Sequence, residues 1–354
     1  MRQTVKRRIL LVGSARTELA LHTDAFAADG ETRFGAFTGN TVPGGPLSYA
    51  GVAVTRLGAF TGNTVPGGPL SYAGVAVTRL GGEAILCSAV GDDPYGRDLV
   101  QFYESLGMDT RFVKTVRGGA SPLGVTAERA DGERRSYRSS VLSEAIDCDL
   151  VEDAFTTLPD AVWLSLEIPA ATAARVTALA REKKIPVFAD GEHIPADFPL
   201  ETLGDVTLIA LGAEAAKRYT GILPRSAQSN LEAAVALAKI IHAGTYMFRA
   251  GVGGAFAFKG NFSYYIPYVE DADARLNELF VPAMILEYLR SAKTVRAARY
   301  ASTVIARAAA RGGEPITAVP TETEVLRYIL EHEVELAQGL ATRDGDAALR
   351  APVA

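Results

Sequence analysis

Apolar residues come in short runs separated by stretches with helical spacing. Ile9–Val12 is four apolar residues closed by Gly13-Ser14. That is the pattern of a buried parallel strand at its carboxyl end. Residues 18–42 are mixed, with alternation around Thr32–Thr41 that suggests exposed antiparallel strands. Ala84–Val90 is an apolar strand ending in a Gly-Asp-Asp turn, and the "RDLVQFYESLG" that follows predicts an amphipathic helix stopped by Gly107. "SPLGVTAERADGERRSYRS" reads as a hairpin with Asp131-Gly132 at its turn.

From Asp149 onward strands and helices alternate. "AVWLSLE", "IPVFAD", "VTLIALG", "TYMFRAG" and "GAFAFKG" predict strands, and "ATAARVTALAREKK" and "LEAAVALAKIIHAG" predict helices. Helices are also expected over about 276–290 and 294–310. A last one begins near Thr321, where "TETE" supplies a cap and early acidic residues. The tail 340–354 is small and charged, and is expected to be frayed or disordered. Such alternation implies a mostly parallel sheet covered by helices on both faces. Ligands in these sheets bind at the carboxyl ends of the strands. The early hairpin-like segments do not fit that layer and suggest a separate flap.

One stretch disturbs the regular pattern. "GAFTGNTVPGGPLSYAGVAVTRL" occurs twice in tandem, as 35–57 and 58–80, identical at all 23 positions. Each copy carries a Pro-Gly-Gly turn and a segment with helical spacing. The second copy runs without a break into the Ala84–Val90 strand, so Gly67, Gly68 and a helix Leu70–Leu80 are assigned to the fold. The surplus then lies at about 43–64. A recent duplication or an error in the gene explains perfect identity. A solenoid would need several diverged units.

Composition narrows the partners. The 354 residues are 48% hydrophobic and 22% charged, with net charge −5. No basic stripe appears, which argues against nucleic acid and anionic membrane. No run of about 18 apolar residues predicts a membrane span. The apolar run after the basic start is too short for a signal peptide. Cys87 and Cys148 sit in no metal spacing, and a reducing cytoplasmic location is the simple expectation. None of the four histidines has a partner at ligand spacing. His193, in "DGEHIP", reads as a surface loop residue that could also face the cleft. Asp190 ends the "IPVFAD" strand, where a turn cap is as good a reading as a site role. No Gly-x-Gly-x-x-Gly follows the first strand, which argues against a dinucleotide oxidoreductase.

The order of elements and the stretch "PGGPLSYAGVAVTRLGGEAILCSAVGDDPYGRDLVQFYESLGMDT" resemble the ribokinase/PfkB family of sugar and nucleoside kinases. A Gly-Gly turn, a helix ending in Arg-Leu-Gly, a strand, a Gly-Asp-Asp-x-x-Gly turn and a helix all stand at family-like spacing, and the resemblance covers residues 8–332. It implies an α/β fold with a ribokinase-like, mostly parallel central sheet flanked by helices. A small β-sheet lid, about 18–66, would cover a sugar pocket and, as in many members, form a homodimer contact. It implies ATP and Mg²⁺ as cofactors and a sugar, polyol or nucleoside as substrate. Gly67 and Gly68 would let backbone approach a polyhydroxyl ligand, although taken alone the pair only starts a helix.

Several family positions are altered. The Asp-Thr-x-Gly-Ala-Gly-Asp run exposes backbone N–H groups to the transferring phosphoryl group and ends in the general base. Here the segment is "VEDADARLNELFVPAMI". The resemblance places Glu278 at the base and Asn277 at the last glycine, with Arg275 and Leu276 before them. Both glycines are gone, and Arg275 could supply charge in their place. The other reading of Glu278 is a solvated helix residue. The sugar-holding Asp corresponds to Glu18, and the Asn after the Gly-Gly turn to Tyr72. In "LGAEAAKRYTG" Glu214 matches the Asn-x-x-Glu element only with a one-residue offset. The nucleotide-side Gly-x-x-Gly is matched by Gly251 and Gly254. Two functions are therefore carried forward: an ATP-dependent kinase, and a member that keeps the fold and binds ligand or acts as a scaffold with weak or no transfer.

Overall fold

The computed structural model describes residues 6–23, 64–129, 134–139, 142–249, 255–259, 262–266, 274–312 and 315–332. Strand β1 (Arg8–Val12) is the apolar run seen in the sequence. Its neighbours are β4 (Glu83–Gly91) and β8 (Ala161–Ser165), both parallel to it. Beyond β8 lie β9 (Val187–Gly191), β10 (Leu208–Gly212) and β11 (Tyr246–Arg249), all parallel. β12 (Ala255–Lys259) and β13 (Phe262–Ile266) extend that edge antiparallel. β5 (Asp109–Val116) closes the other edge beside β4. The expected mostly parallel sheet is therefore present, with nine strands.

Side-chain parity builds two cores. Ile9, Leu11 and Trp163 point to one face, where helices α1 (Gly68–Arg79), α7 (Phe280–Ser291) and α8 (Thr294–Arg311) pack. Leu10, Val12 and Leu164 point to the other, covered by α3 (Cys148–Phe155), α4 (Ala170–Lys183), α5 (Ala213–Thr220) and α6 (Ala227–Leu237). Helix α2 (Pro94–Ser105) starts at the Gly-Asp-Asp turn, where the Asp93 carboxylate accepts from Gly96 N–H at 2.8 Å. A short helix α9 (Pro315–Ala318) and α10 (Glu322–Glu331) follow α8. The predicted cap of α10 is a capping box between Thr321 and Glu324.

A second sheet of four strands stands apart, in the order β3-β2-β6-β7. It contains β2 (Arg16–Thr23), β3 (Thr64–Gly67), β6 (Leu123–Arg129) and β7 (Arg134–Arg138). The predicted hairpin supplies β6 and β7, paired antiparallel. The small sheet thus draws half its strands from beyond the 18–66 lid region. The alternation around 32–41 lies outside the described residues.

Some elements differ from the pattern reading. The helix placed over 276–290 is split into a 3₁₀ turn, Ala274–Leu279, and α7. The helix read from 231 starts at Ala227 behind a Ser226/Ser229 capping box. β5, β13, α3 and α5 gave no clear periodic signal. β5 shows why: it is an edge strand whose residues are half-buried or exposed, so charge and apolar positions do not alternate. Among the described residues no helix is long and apolar enough to cross a membrane.

The second repeat copy supplies β3 and α1, as expected, with ten buried residues on that helix. Thr64, read as surplus, belongs to β3; the rest of the surplus and the first copy lie outside the described residues. Because the copies are identical, deleting either gives the same chain. Removing 35–57 is expected to leave β2, β3 and α1 in place and the melting temperature essentially unchanged. A fall of many degrees in a thermal melt would show that the extra copy has become structural.

Candidate active site

The chain leaves β5 at one side of β1 and resumes at β8 on the other. β1 and β8 therefore flank a topological switch point, where open α/β sheets bind ligands. The residues that meet there are Arg16, which follows β1, and Glu167, which follows β8. Arg16 is only 3% exposed. Its guanidinium reaches Glu18 at 2.8 Å and Glu167 at 3.2 Å. Burial opposes the charge, but Glu167, Glu18 and Glu278 outweigh it, and Arg16 holds its proton more tightly than usual.

The Gly-Gly turn faces these side chains. A Cβ on Gly67 would fall 1.9 Å from Glu18 Cγ, and one on Gly68 would fall 2.8 Å from Arg16 Cγ. Gly68 also has φ +75°. A Cβ on Gly124 in β6 would meet the Glu18 carboxylate at 2.1 Å. So the glycines make room for Arg16 and Glu18, the chain's own side chains. Tyr72, on α1, is buried in the core, 4% exposed.

A second cluster lies at the ends of β9 and β11. Arg249 closes β11 and is 2% exposed. Its Nη2 meets Asp190 Oδ1 at 2.5 Å and Glu192 Oε2 at 2.9 Å. Its Nη1 donates to the Asn277 carbonyl at 3.4 Å. Asp190 also accepts from Trp163 Nε1 at 3.4 Å. One guanidinium thus joins two strand ends to the 3₁₀ turn that carries Glu278.

Glu278 is 9% exposed, which excludes a solvated helix residue. Its Oε1 lies 2.5 Å from His193 Nε2. Its Oε2 is buried and has no hydrogen-bond partner. Burial alone would raise the carboxyl, but the His193 charge and hydrogen bond, then Arg249 and Arg16, bring it down to about 2. The surface-loop reading of His193 is corrected by the same contact. The turn after β9 aims the ring inward, onto Glu278. Its Nδ1 faces Arg138 of β7, which donates from Nη1 at 2.6 Å.

Around this pair runs a cleft of about 460 Å³. Arg138, Arg218 and Arg249 line it, as do Glu167, Glu192 and Glu214. Asn277 lies in its wall, while Arg275 beside it is half-buried. Glu214 is exposed in the first turn of α5. The structure therefore brings Asn277 and Glu214 to one cleft, with Glu278 joined to it through His193 and Glu18 through Arg16 and Glu167. Gly251 and Gly254 lie outside the described residues. Sequence reasoning missed Arg16, Glu167, Glu192, Arg138 and Arg249. The available signal was positional: a charged residue closing an otherwise apolar strand run, as Glu167 and Arg249 do, sits where ligands bind.

The profile of the pfkB family carbohydrate kinases matches residues 53–274, beginning inside the first repeat copy. No curated protein matches the chain. Among solved structures, the fold is shared with the Arabidopsis thaliana ribokinase complexed with ribose and ATP, at 17% identity and a TM-score of 0.73 over 91% of this chain and 98% of that one. The Giardia lamblia ribokinase gives 16% identity and a TM-score of 0.77 over 92% and 99%. The Cryptococcus neoformans ribokinase in complex with ADP gives 15% and 0.66 over 91% and 100%.

Proposed function

Since the chain belongs to the pfkB family of carbohydrate kinases, we propose that it transfers the terminal phosphoryl group of ATP to a hydroxyl of a sugar, polyol or nucleoside, with Glu278 as general base. The observation that carries this reading is the buried Oε2 of Glu278, ionised and without a partner. A buried polar atom in that condition calls for a ligand donor. A substrate hydroxyl supplies one. In the transfer the hydroxyl oxygen bonds to phosphorus, its proton passes to Glu278 Oε2, and the bond to the ADP oxygen breaks.

The remaining residues take supporting roles. Glu18 and Glu167, held by Arg16, accept from other substrate hydroxyls. Gly67 and Gly68 shape that end by seating Arg16 and Glu18, and Tyr72 supports it from the core. Arg138, Arg218 and Arg275 offer charge to phosphate oxygens, partly replacing the backbone donors of the lost glycines. Asn277 lines the approach. Gly251 and Gly254, matched to the family's nucleotide-side glycines, take the nucleotide. Mg²⁺ fits the donor set, because it takes one or two carboxylates plus phosphate oxygens. Glu214 and Glu192 line the cleft for that purpose. When bound, the ion neutralises phosphate charge. The small sheet acts as a lid and a homodimer contact, and the protein works in the cytoplasm.

One observation favours binding without transfer. The carboxylates that would hold substrate are already paired with Arg16. A thermal-shift titration separates the readings when followed by an ADP-release assay on sugars and nucleosides. ATP with Mg²⁺ at a hundredfold excess over Kd is expected to add about 2.7 kcal/mol. ADP release should then depend on one acceptor class. No shift at millimolar ATP would sink the kinase reading, and a shift without turnover would leave a binding protein.

A further inference from the structure

We propose that Arg138, His193 and Glu278 form a relay through which the small sheet sets the orientation of the base, with His193 as a positioning residue. This rests on the reading of Glu278 as the base. The three side chains come from separate elements: the edge strand β7, the turn after β9, and the 3₁₀ turn before α7. Two contacts join them, 2.6 Å from Arg138 Nη1 to His193 Nδ1 and 2.5 Å from His193 Nε2 to Glu278 Oε1.

The chemistry of the ring makes this more than adjacency. A guanidinium has donors and no acceptor. The Arg138 contact is therefore a hydrogen bond only when Nδ1 carries a lone pair. The ring is then neutral, with its proton on Nε2, and it donates to Glu278 Oε1. That bond fixes one oxygen of the base and leaves Oε2, the atom without a partner, for the substrate. If Arg138 withdraws with its strand, Nδ1 is free to take a proton. The ring becomes a cation against the carboxylate, and the base is held in an ion pair. The same base is thus available when the ring is neutral and bonded to Arg138, and restrained when the ring takes a second proton.

The surrounding charges fit two such states. Burial disfavours a charge on His193. Glu278, and more weakly Glu167, favour it, Arg138 opposes it, and the net effect is a proton held more tightly than usual. Facing Glu278 are His193, Arg249 and Arg16. Two members of this set lie on the small sheet: Arg16 of β2 is buried, whereas Arg138 of β7 is exposed, so removing Arg138 leaves the core untouched.

The test is nitrogen NMR of the histidine rings in the full chain. Four histidines make the assignment simple, with His193→Gln identifying the signal by its loss. At high pH the parent ring is expected as the Nε2–H tautomer. In Arg138→Met its titration should move to higher pH, and in Glu278→Gln to lower pH. If Arg138→Met leaves both tautomer and titration unchanged, the relay is overturned. Kinetics with ATP, Mg²⁺ and ribose separate the relay from the reading beneath it. His193→Gln keeps a donor and an acceptor and should retain turnover with a flatter pH profile, whereas His193→Leu should lose about tenfold to a hundredfold in kcat. If the base reading alone fails, Glu278→Gln keeps its turnover while the ring signals still move. If the relay alone fails, Glu278→Gln loses turnover while Arg138→Met moves nothing.

Discussion

Replacing Glu278 by Gln is expected to slow phosphoryl transfer by about 10²–10⁴-fold, the usual worth of a positioned base, with the fold and ATP binding retained. Gln has nearly the same shape and can still accept from His193 Nε2. What it lacks is an oxygen able to take a proton where Oε2 stands unpartnered. ATP binding, read by thermal shift, should survive because the phosphate contacts proposed above are made by other side chains. Undiminished turnover in this variant would remove Glu278 from the chemistry.

A pH consequence follows from the same residue. The carboxyl lies at about 2 in the folded chain, below its ordinary 4.5. Its stabilising contribution is therefore complete above 4.5 and is lost as pH falls through about 2. His193 behaves with the opposite sign. Its proton affinity is raised above the ordinary 6.5, so its contribution is complete below 6.5 and is lost as pH rises through the higher folded value. The pair should stabilise the fold most between 4.5 and 6.5. The melting-temperature difference between parent and Glu278→Gln should peak in that window and shrink on both sides. A flat difference would mean that the two charges are not coupled.

Much of the fold was legible because its signals are local. The run Ile9–Val12, the strand Ala84–Val90 and the Thr321 cap depend on neighbours in sequence, and each reappears with nearly the expected bounds. The edge strand β5 was not legible, since half-exposure erases alternation. The site was legible only in part, and for a related reason. Glu278 and Glu214 could be aligned with a known pattern. Arg16 and Glu167 are 151 residues apart, and Arg249 and Asp190 are 59 apart. Nothing local marks such pairs. They exist because the parallel sheet gathers strand ends at one edge. His193 illustrates the limit most directly. Its flanking residues suggest a loop, and only the turn geometry after β9 directs the ring inward.

Arg249→Met is expected to cost about 3–5 kcal/mol of stability, the usual penalty for removing one partner of a buried ion pair. The guanidinium is 2% exposed and Asp190 is 4% exposed, so water cannot readily replace the lost bond. Glu192 loses a partner at 2.9 Å, and the Asn277 carbonyl loses one at 3.4 Å. The damage should therefore reach the 3₁₀ turn under Glu278, and transfer should fall along with stability. Arg249→Met combined with Asp190→Asn tests the cause. If the penalty comes from a stranded carboxylate, removing that charge should recover part of the loss in urea denaturation. If the double variant is as unstable as the sum of the singles, the guanidinium acts through packing and its hold on Asn277, and the Asp190 pair contributes little. Either result fixes what the arginine at the end of β11 does in a position that joins two strands to the turn carrying Glu278.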